Sequence, residues 1–332
     1  MRKTFNIMVK VALPLLLAGA ILWWMYRGFT WDEFVGTLRG DVRWGWMLLS
    51  FPFGISAQVF RALRWRQALE PLGEHPRTHT CINAVFLSYA SSLLVPRLGE
   101  VLRCGVLSRY EGTNFGRSVG AVVTERIVDM SFVFLFSLFT LLAQIPFFMR
   151  FFAETGFSLG DFLRGFTSTG YLVTGICLLV LVVAGYLMLH RVDVFSRTRG
   201  VMADFAAGMM SVRRLRRPLL FGCYTVGIWI SYYLHFYLTF YCFDYTEHLG
   251  AVAALVAFVV GCFAVLVPTP NGAGPWHFAV KTVLVLYGVA AADAAMFVLV
   301  VHTLQTLLMV VLGFYALAVL AFTKRITTYN KQ

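Results

Sequence analysis

Residues 290–322 read AAADAAMFVLVVHTLQTLLMVVLGFYALAVLAF, a continuous apolar run whose one charged residue is Asp293. A helix that crosses the hydrocarbon core of a bilayer needs ~20 mainly apolar residues. This run exceeds that length, and others of the same character lie at 8–26, 44–60, 80–96, 127–148, 167–190, 218–243, 250–268 and 276–289. Over 332 residues the chain is 59% hydrophobic and 13% charged, against about 25% charged in soluble domains. So much apolar surface cannot be hidden from water, so the surrounding solvent is lipid. The runs are continuous rather than alternating, which argues for helices over a barrel. No polar linker divides the chain, so 1–332 is expected to form a single integral membrane domain.

Loop charges set the orientation. Arg2 and Lys3 place the N-terminus inside, and the first run continues through Trp23, Trp24 and Tyr26 as an uncleaved span rather than a signal peptide. Arg61, Arg64, Arg66 and Arg77 are read as an inside loop. A full crossing at 80–96 would then put Arg97, Arg103, Arg109, Arg117 and Arg126 outside, against the rule. The conflict disappears if 80–96 enters from the inside, breaks at Pro96 and Gly99, and returns. The arginine-rich segment 191–217 and the tail with Lys324, Arg325 and Lys331 are inside; 244–249, with Asp244 and Glu247, is outside.

Leu93-Leu94-Val95-Pro96 is echoed by Val265-Leu266-Val267-Pro268, again after an apolar run and before a glycine-containing break. The two would enter from opposite sides, as in the inverted repeats of secondary transporters. The predicted fold class is all-α: a polytopic transmembrane helical bundle of about 6–8 spans, with two re-entrant or broken helix segments in an inverted repeat.

An ionisable group at mid-membrane costs ~2.5–3.5 kcal/mol on insertion scales, so such groups mark function better than any other residue here. Arg97, Glu100 and Arg103 follow the first break at i, i+3 and i+6, along one helical face, with Gly99 beside them. Two arginines around one carboxylate leave net positive charge, and a guanidinium grips phosphate through two parallel hydrogen bonds. Glu125, Arg126 and Asp129 open the run at 127–148. Asp129 is expected to pair with an arginine of the first cluster or to change protonation. Asn271, Gly272, Gly274 and His277 form a third group around the second break. Either a substrate site or a fold-holding ion network fits these patterns.

The net charge of +12 sits in short loops, where it encodes topology and favours anionic headgroups, so nucleic acid is not an expected partner. Six cysteines show no CxxC pair, and there is no Walker A loop, HExxH or GxSxG. Neither a metal, a cofactor nor a catalytic residue is expected.

Pro96-Arg97-Leu98-Gly99-Glu100-Val101-Leu102-Arg103 resembles the P-x-R-x-G-E-x-x-R signature of the flippase-like transmembrane domain found in lysylphosphatidylglycerol synthases and in many stand-alone membrane proteins. Glu125-Arg126-Ile127-Val128-Asp129 is similar to its E-R-x-x-D motif, and Pro268 to Gly274 to its late P-x-P-G-G-x-G stretch. Two departures stand out. Pro270-Asn271-Gly272 replaces the usual Pro-Gly-Gly, and Pro275-Trp276-His277 stands where the family often has an acidic residue. The resemblance implies a multi-pass protein of the cell membrane that moves an anionic, phosphate-bearing or polyprenyl-linked lipid between leaflets, with both termini cytoplasmic. Its partners would be membrane lipids and envelope-synthesis proteins. Lysyl transfer, the task of a further soluble domain, is not expected of these residues. A membrane-embedded enzyme acting on lipid headgroups, or a non-catalytic member of an envelope-synthesis complex, stays open beside the transporter.

Overall fold

The computed structural model describes residues 16, 18–27, 31–40, 42–93, 98–145, 204–205, 207–208, 210–267 and 269–323. Among them every regular element is helical. The run at 167–190, and Leu94 to Arg97 with Pro268, lie outside the described residues. The chain divides into two compact units, 1–137 with 204–332, and 138–203. Of the second, only the last turns of one helix are described.

After a helical stretch at 18–26 come α1 (Trp31–Gly40), α2 (Trp44–Leu69), α3 (Thr78–Ser92), α4 (Leu98–Glu111) and α5 (Phe115–Ala143). Then follow α6 (Pro218–Tyr237), α7 (Gly250–Ala264), α8 (Pro275–Leu286) and α9 (Ala291–Phe322). Pro218–Cys242, which is α6 with its 3-10 extension, and Ala291–Phe322 are long and apolar enough to cross a membrane. Large apolar side chains face outward from α9, among them Val311, Phe314, Leu317 and Phe322, and from α5, among them Ile127, Phe134 and Leu135. Such faces are stable against acyl chains rather than water.

α2 and α6 form an antiparallel pair. At one end the Arg43 backbone N–H donates to the Cys242 carbonyl (2.9 Å), and at the other Gln67 Nε2 donates to the Arg217 carbonyl (2.7 Å). Small residues permit the approach: a Cβ on Gly227 would lie 3.1 Å from the Phe60 ring, and one on Gly54 2.9 Å from His235. α2 runs well past 60, where the sequence reading ended it, because Val59 to Leu69 contains neither Gly nor Pro and Ala62, Trp65, Ala68 and Leu69 are buried. Arg61 and Arg64 are therefore buried helical residues, not loop charges.

α3 packs on α4, and α7 on α8, as two hairpins of short helices. With 15 and 14 residues in one and 15 and 12 in the other, each arm rises only ~18–23 Å, less than a ~30 Å hydrocarbon core. The first hairpin is pinned at its base by the Glu111 carboxylate, which accepts from Thr80 Oγ1 (2.5 Å), Arg77 Nε (2.8 Å) and the Arg77 backbone N–H (3.1 Å). Near its tip, a Cβ on Gly99 would stand 2.0 Å from the Ser88 carbonyl oxygen, so only glycine lets the arms meet. In the second hairpin a Cβ on Gly261 would lie 2.8 Å from the Trp276 indole.

α9 touches both hairpins. A Cβ on Gly313 would lie 2.3 Å from Ala90 of α3, and the Asn271 side chain donates to Thr306 Oγ1 (2.8 Å). Positions 306 and 313 are ~10 Å apart along the helix, so both hairpins reach α9 within about two turns of each other.

Candidate functional site

α5 starts twelve residues before the apolar run read from sequence, because Asn114 caps it: Asn114 Oδ1 accepts the Arg117 backbone N–H at 3.0 Å. Glu125, Arg126 and Asp129 consequently lie in mid-helix rather than opening it. Glu125 and Asp129 are one turn apart and buried; Arg126 turns toward the edge, its side chain about a third exposed.

These α5 residues meet arginines from two other helices. Asp129 takes Arg61 Nη1 at 2.6 Å and Arg64 Nη2 at 2.7 Å, both from α2. Glu125 takes Arg103 Nη2 of α4 at 2.8 Å and Arg64 Nε at 3.4 Å. Arg126 Nε lies 2.8 Å from Glu100 Oε1, an ion pair without hydrogen-bond alignment, and Arg126 Nη1 lies 3.7 Å from Asp129. Arg64 Nη1 also donates to Thr225 Oγ1 of α6 (3.3 Å). The network thus sets Arg61, Arg64, Arg103 and Arg126 against Glu100, Glu125 and Asp129, with formal charge in excess on the positive side.

Aromatic faces complete the shell. The Arg103 guanidinium stacks over Trp65 at 4.6 Å, and those of Arg61 and Arg64 lie 5.8 and 5.7 Å from the rings of Tyr232 and Phe221. Arg103 Nε and Nη1 and Arg61 Nε have no hydrogen-bond partner. Unused buried guanidinium donors are costly, and an oxyanion is the ligand that would satisfy them. From Arg126 a groove of about 660 Å³ runs along α5, lined by Val123, Ile127, Met130, Ser131, Phe134 and Leu135.

The residues expected from sequence divide into two groups. Gly99, Glu100, Arg103, Glu125, Arg126 and Asp129 come together; Arg97 lies outside the described residues. Asp129 pairs with Arg61, Arg64 and its own neighbour Arg126, not with Arg103, which α4 directs one turn back to Glu125. Asn271, Gly272, Gly274 and His277 gather separately at the second hairpin, against α9. No ion pair or hydrogen bond among the described residues joins the two clusters. Asn271 (φ 50°), Gly272 (φ 72°) and Gly274 (φ 88°) turn the chain between α7 and α8 through the left-handed region.

Arg61 and Arg64 were missed as site residues. Their signal was present: Gln58, Arg61 and Arg64 recur at i, i+3 and i+6, one stripe of a helix without a breaker.

No curated protein and no solved structure matches the chain. A family model does, across residues 11–313: that of the lysylphosphatidylglycerol synthase TM region. The match covers both hairpins and the arginine network, and the chain belongs to that family of lipid-related membrane proteins.

Proposed function

We propose that the protein is a lipid flippase of the cell membrane, which moves an anionic, phosphate-bearing or polyprenyl-linked lipid between leaflets. The observation that carries this reading is the arginine-rich network, open at Arg126 onto the apolar groove of α5. The phosphate binds at Arg126, drawn by the positive excess behind it, and the acyl chains follow the groove. Glu100 is the group displaced when the headgroup arrives, because it is the network's exposed carboxylate and its pairing with Arg126 is poorly aligned.

The two short hairpins act as re-entrant segments of opposite orientation, an inverted repeat packed against the middle of α9. The arginine-rich segment 211–217 and both termini face the cytoplasm, and Asp244 and Glu247 face the opposite side. Membrane lipids are the direct partners, and proteins of envelope synthesis are the ones such transport would serve.

Proteoliposomes containing a lipid labelled on its headgroup test the function. Wild-type protein is expected to deliver inner-leaflet lipid to an impermeant quencher far faster than protein-free vesicles. A headgroup-modifying enzyme would instead yield a chemically altered lipid in detergent, with no sealed bilayer.

A further inference from the structure

The second hairpin places two imidazoles in contact. His277, on the first turn of α8, is buried, and its ring centroid lies 4.4 Å from that of His302 on α9. Trp276 and Tyr26 close around them, with the indole 5.1 Å from the His302 ring and the phenol edge-on to His277 at 6.0 Å.

Hydrogen bonds fix the tautomers of both neutral rings. His302 Nε2 lies 3.1 Å from the Asn271 carbonyl oxygen, an acceptor, so its proton sits on Nε2. Its Nδ1 then faces Thr306 Oγ1 at 3.5 Å. His277 Nδ1 accepts the Gly274 backbone N–H at 3.4 Å, so the His277 proton is on Nε2. The two rings are therefore not equivalent toward an added proton. On His302 it enters at Nδ1 and donates to Thr306 Oγ1, whose hydroxyl turns away, and no hydrogen bond is lost. On His277 it would enter at Nδ1 and expel the N–H of Gly274, the residue before α8, which that nitrogen accepts. Once one ring is charged, the other at this distance is held neutral by repulsion.

Other titratable groups near the pair are few. Tyr26 donates its hydroxyl to the Ala295 carbonyl (3.2 Å). Lys281 lies one turn further along α8, Asp293 is at the far start of α9, and α7 contributes Cys262. His235 of α6 is reached through its carbonyl, which accepts from Gln305 Nε2 (3.3 Å). Among the described residues no ion pair engages either imidazole.

We propose that His277 and His302 form the site of a coupling proton, carried one at a time on His302 and sensed at the second hairpin through Asn271. Asn271 links them directly: its carbonyl receives His302 and its side chain receives Thr306. A proton on His302 strengthens the bond to the Asn271 carbonyl and so biases a turn held at positive φ. The proton-binding claim stands on the pair alone; its coupling to lipid movement rests on the flippase reading.

Two readouts separate these. In nanodiscs, a charged imidazole against Trp276 quenches its emission. Wild-type fluorescence is expected to fall in one step on acidification. The step should vanish in Trp276→Phe and in His302→Gln, and move to lower pH in Thr306→Val, which removes the acceptor with little change of shape. An unchanged step in both His302→Gln and Thr306→Val, or none in wild type, overturns the proton site. In proteoliposomes, a one-unit pH gradient should redistribute labelled lipid between leaflets by up to about tenfold for one proton per lipid. His302→Gln should move lipid but lose the asymmetry. Gradient-independent distribution by wild type overturns the coupling and leaves the flippase reading intact. A fluorescence step without any lipid movement overturns the flippase reading and leaves the proton site intact.

Discussion

Arg64 is the residue on which the buried network turns. It reaches Glu125 and Asp129 together while fully enclosed, and its third contact, Thr225, ties α6 to the same point. Removing one partner of a buried ion pair leaves an uncompensated charge and costs ~3–5 kcal/mol. Arg64→Met is therefore expected to lower the thermal midpoint in detergent strongly. Arg66→Met, two positions on, loses a half-exposed pair to Glu70 at 3.7 Å and the Arg66 Nε bond to the Pro76 carbonyl (3.2 Å), and should cost about 1–2 kcal/mol. Equal midpoints for the two variants would contradict the assignment of Arg64 as the network's centre. The sequence made Glu100, Arg103, Glu125, Arg126 and Asp129 legible, because carboxylates inside apolar runs have no cheap explanation. It hid Arg61 and Arg64, because an arginine at the end of an apolar run looks the same whether the helix stops there or continues. Their partners are more than sixty positions away in the chain, and no local pattern encodes that pairing.

At the scale of elements, the close approach of α3 and α4 depends on one missing methyl group. Gly99→Ala would drive its Cβ into the Ser88 carbonyl, and backbone on both sides leaves nothing flexible to yield. The hairpin must open, and Gly99→Ala is expected to destabilise by more than about 2 kcal/mol. Gly105→Ala, in the same helix with nothing near its Cβ, should be neutral or stabilise by up to ~1 kcal/mol from helix propensity. Thermal melts of the two variants compare them directly; a mild Gly99→Ala would contradict the hairpin packing. The second break was readable from the Pro/Gly-rich stretch at 268–275, whereas Gly99, expected to help break the chain, lies inside α4. That each pair of short helices folds back on itself was readable only as a remedy for misplaced charge. The start of α5 was misread, because a membrane helix can begin in polar residues, and hydropathy registers its apolar part alone.

For the whole molecule, the pairing of α2 with α6 fixes which loops share a side. Arg43 is bound by Asp244 and Glu247 at one end, and Gln67 meets Arg217 at the other. Cysteines introduced singly as Glu70→Cys and Glu247→Cys should thus react with a membrane-impermeant maleimide from opposite faces of sealed vesicles. Labelling of both from one face would contradict a transmembrane α2–α6 pair. Composition made the membrane setting legible, since 13% charged residues cannot cover a soluble protein of this size. The packing of both hairpins on α9 was not legible, because Gly313 is an ordinary member of an apolar run until its neighbours are known.

The central claim, that the cationic edge of the α5 network carries a lipid headgroup across the membrane, is tested most directly at Arg126. The measurement is the rate at which labelled phosphatidylglycerol crosses proteoliposome bilayers, for wild type, Arg126→Ala and Arg126→Lys. Wild type should far exceed protein-free vesicles. Loss of one charge-assisted contact of ~1.5–3 kcal/mol should slow Arg126→Ala by about tenfold or more while its thermal midpoint stays near wild type, and Arg126→Lys should recover part of the rate. Transport by Arg126→Ala at the wild-type rate, or by wild type at the rate of empty vesicles, would contradict it.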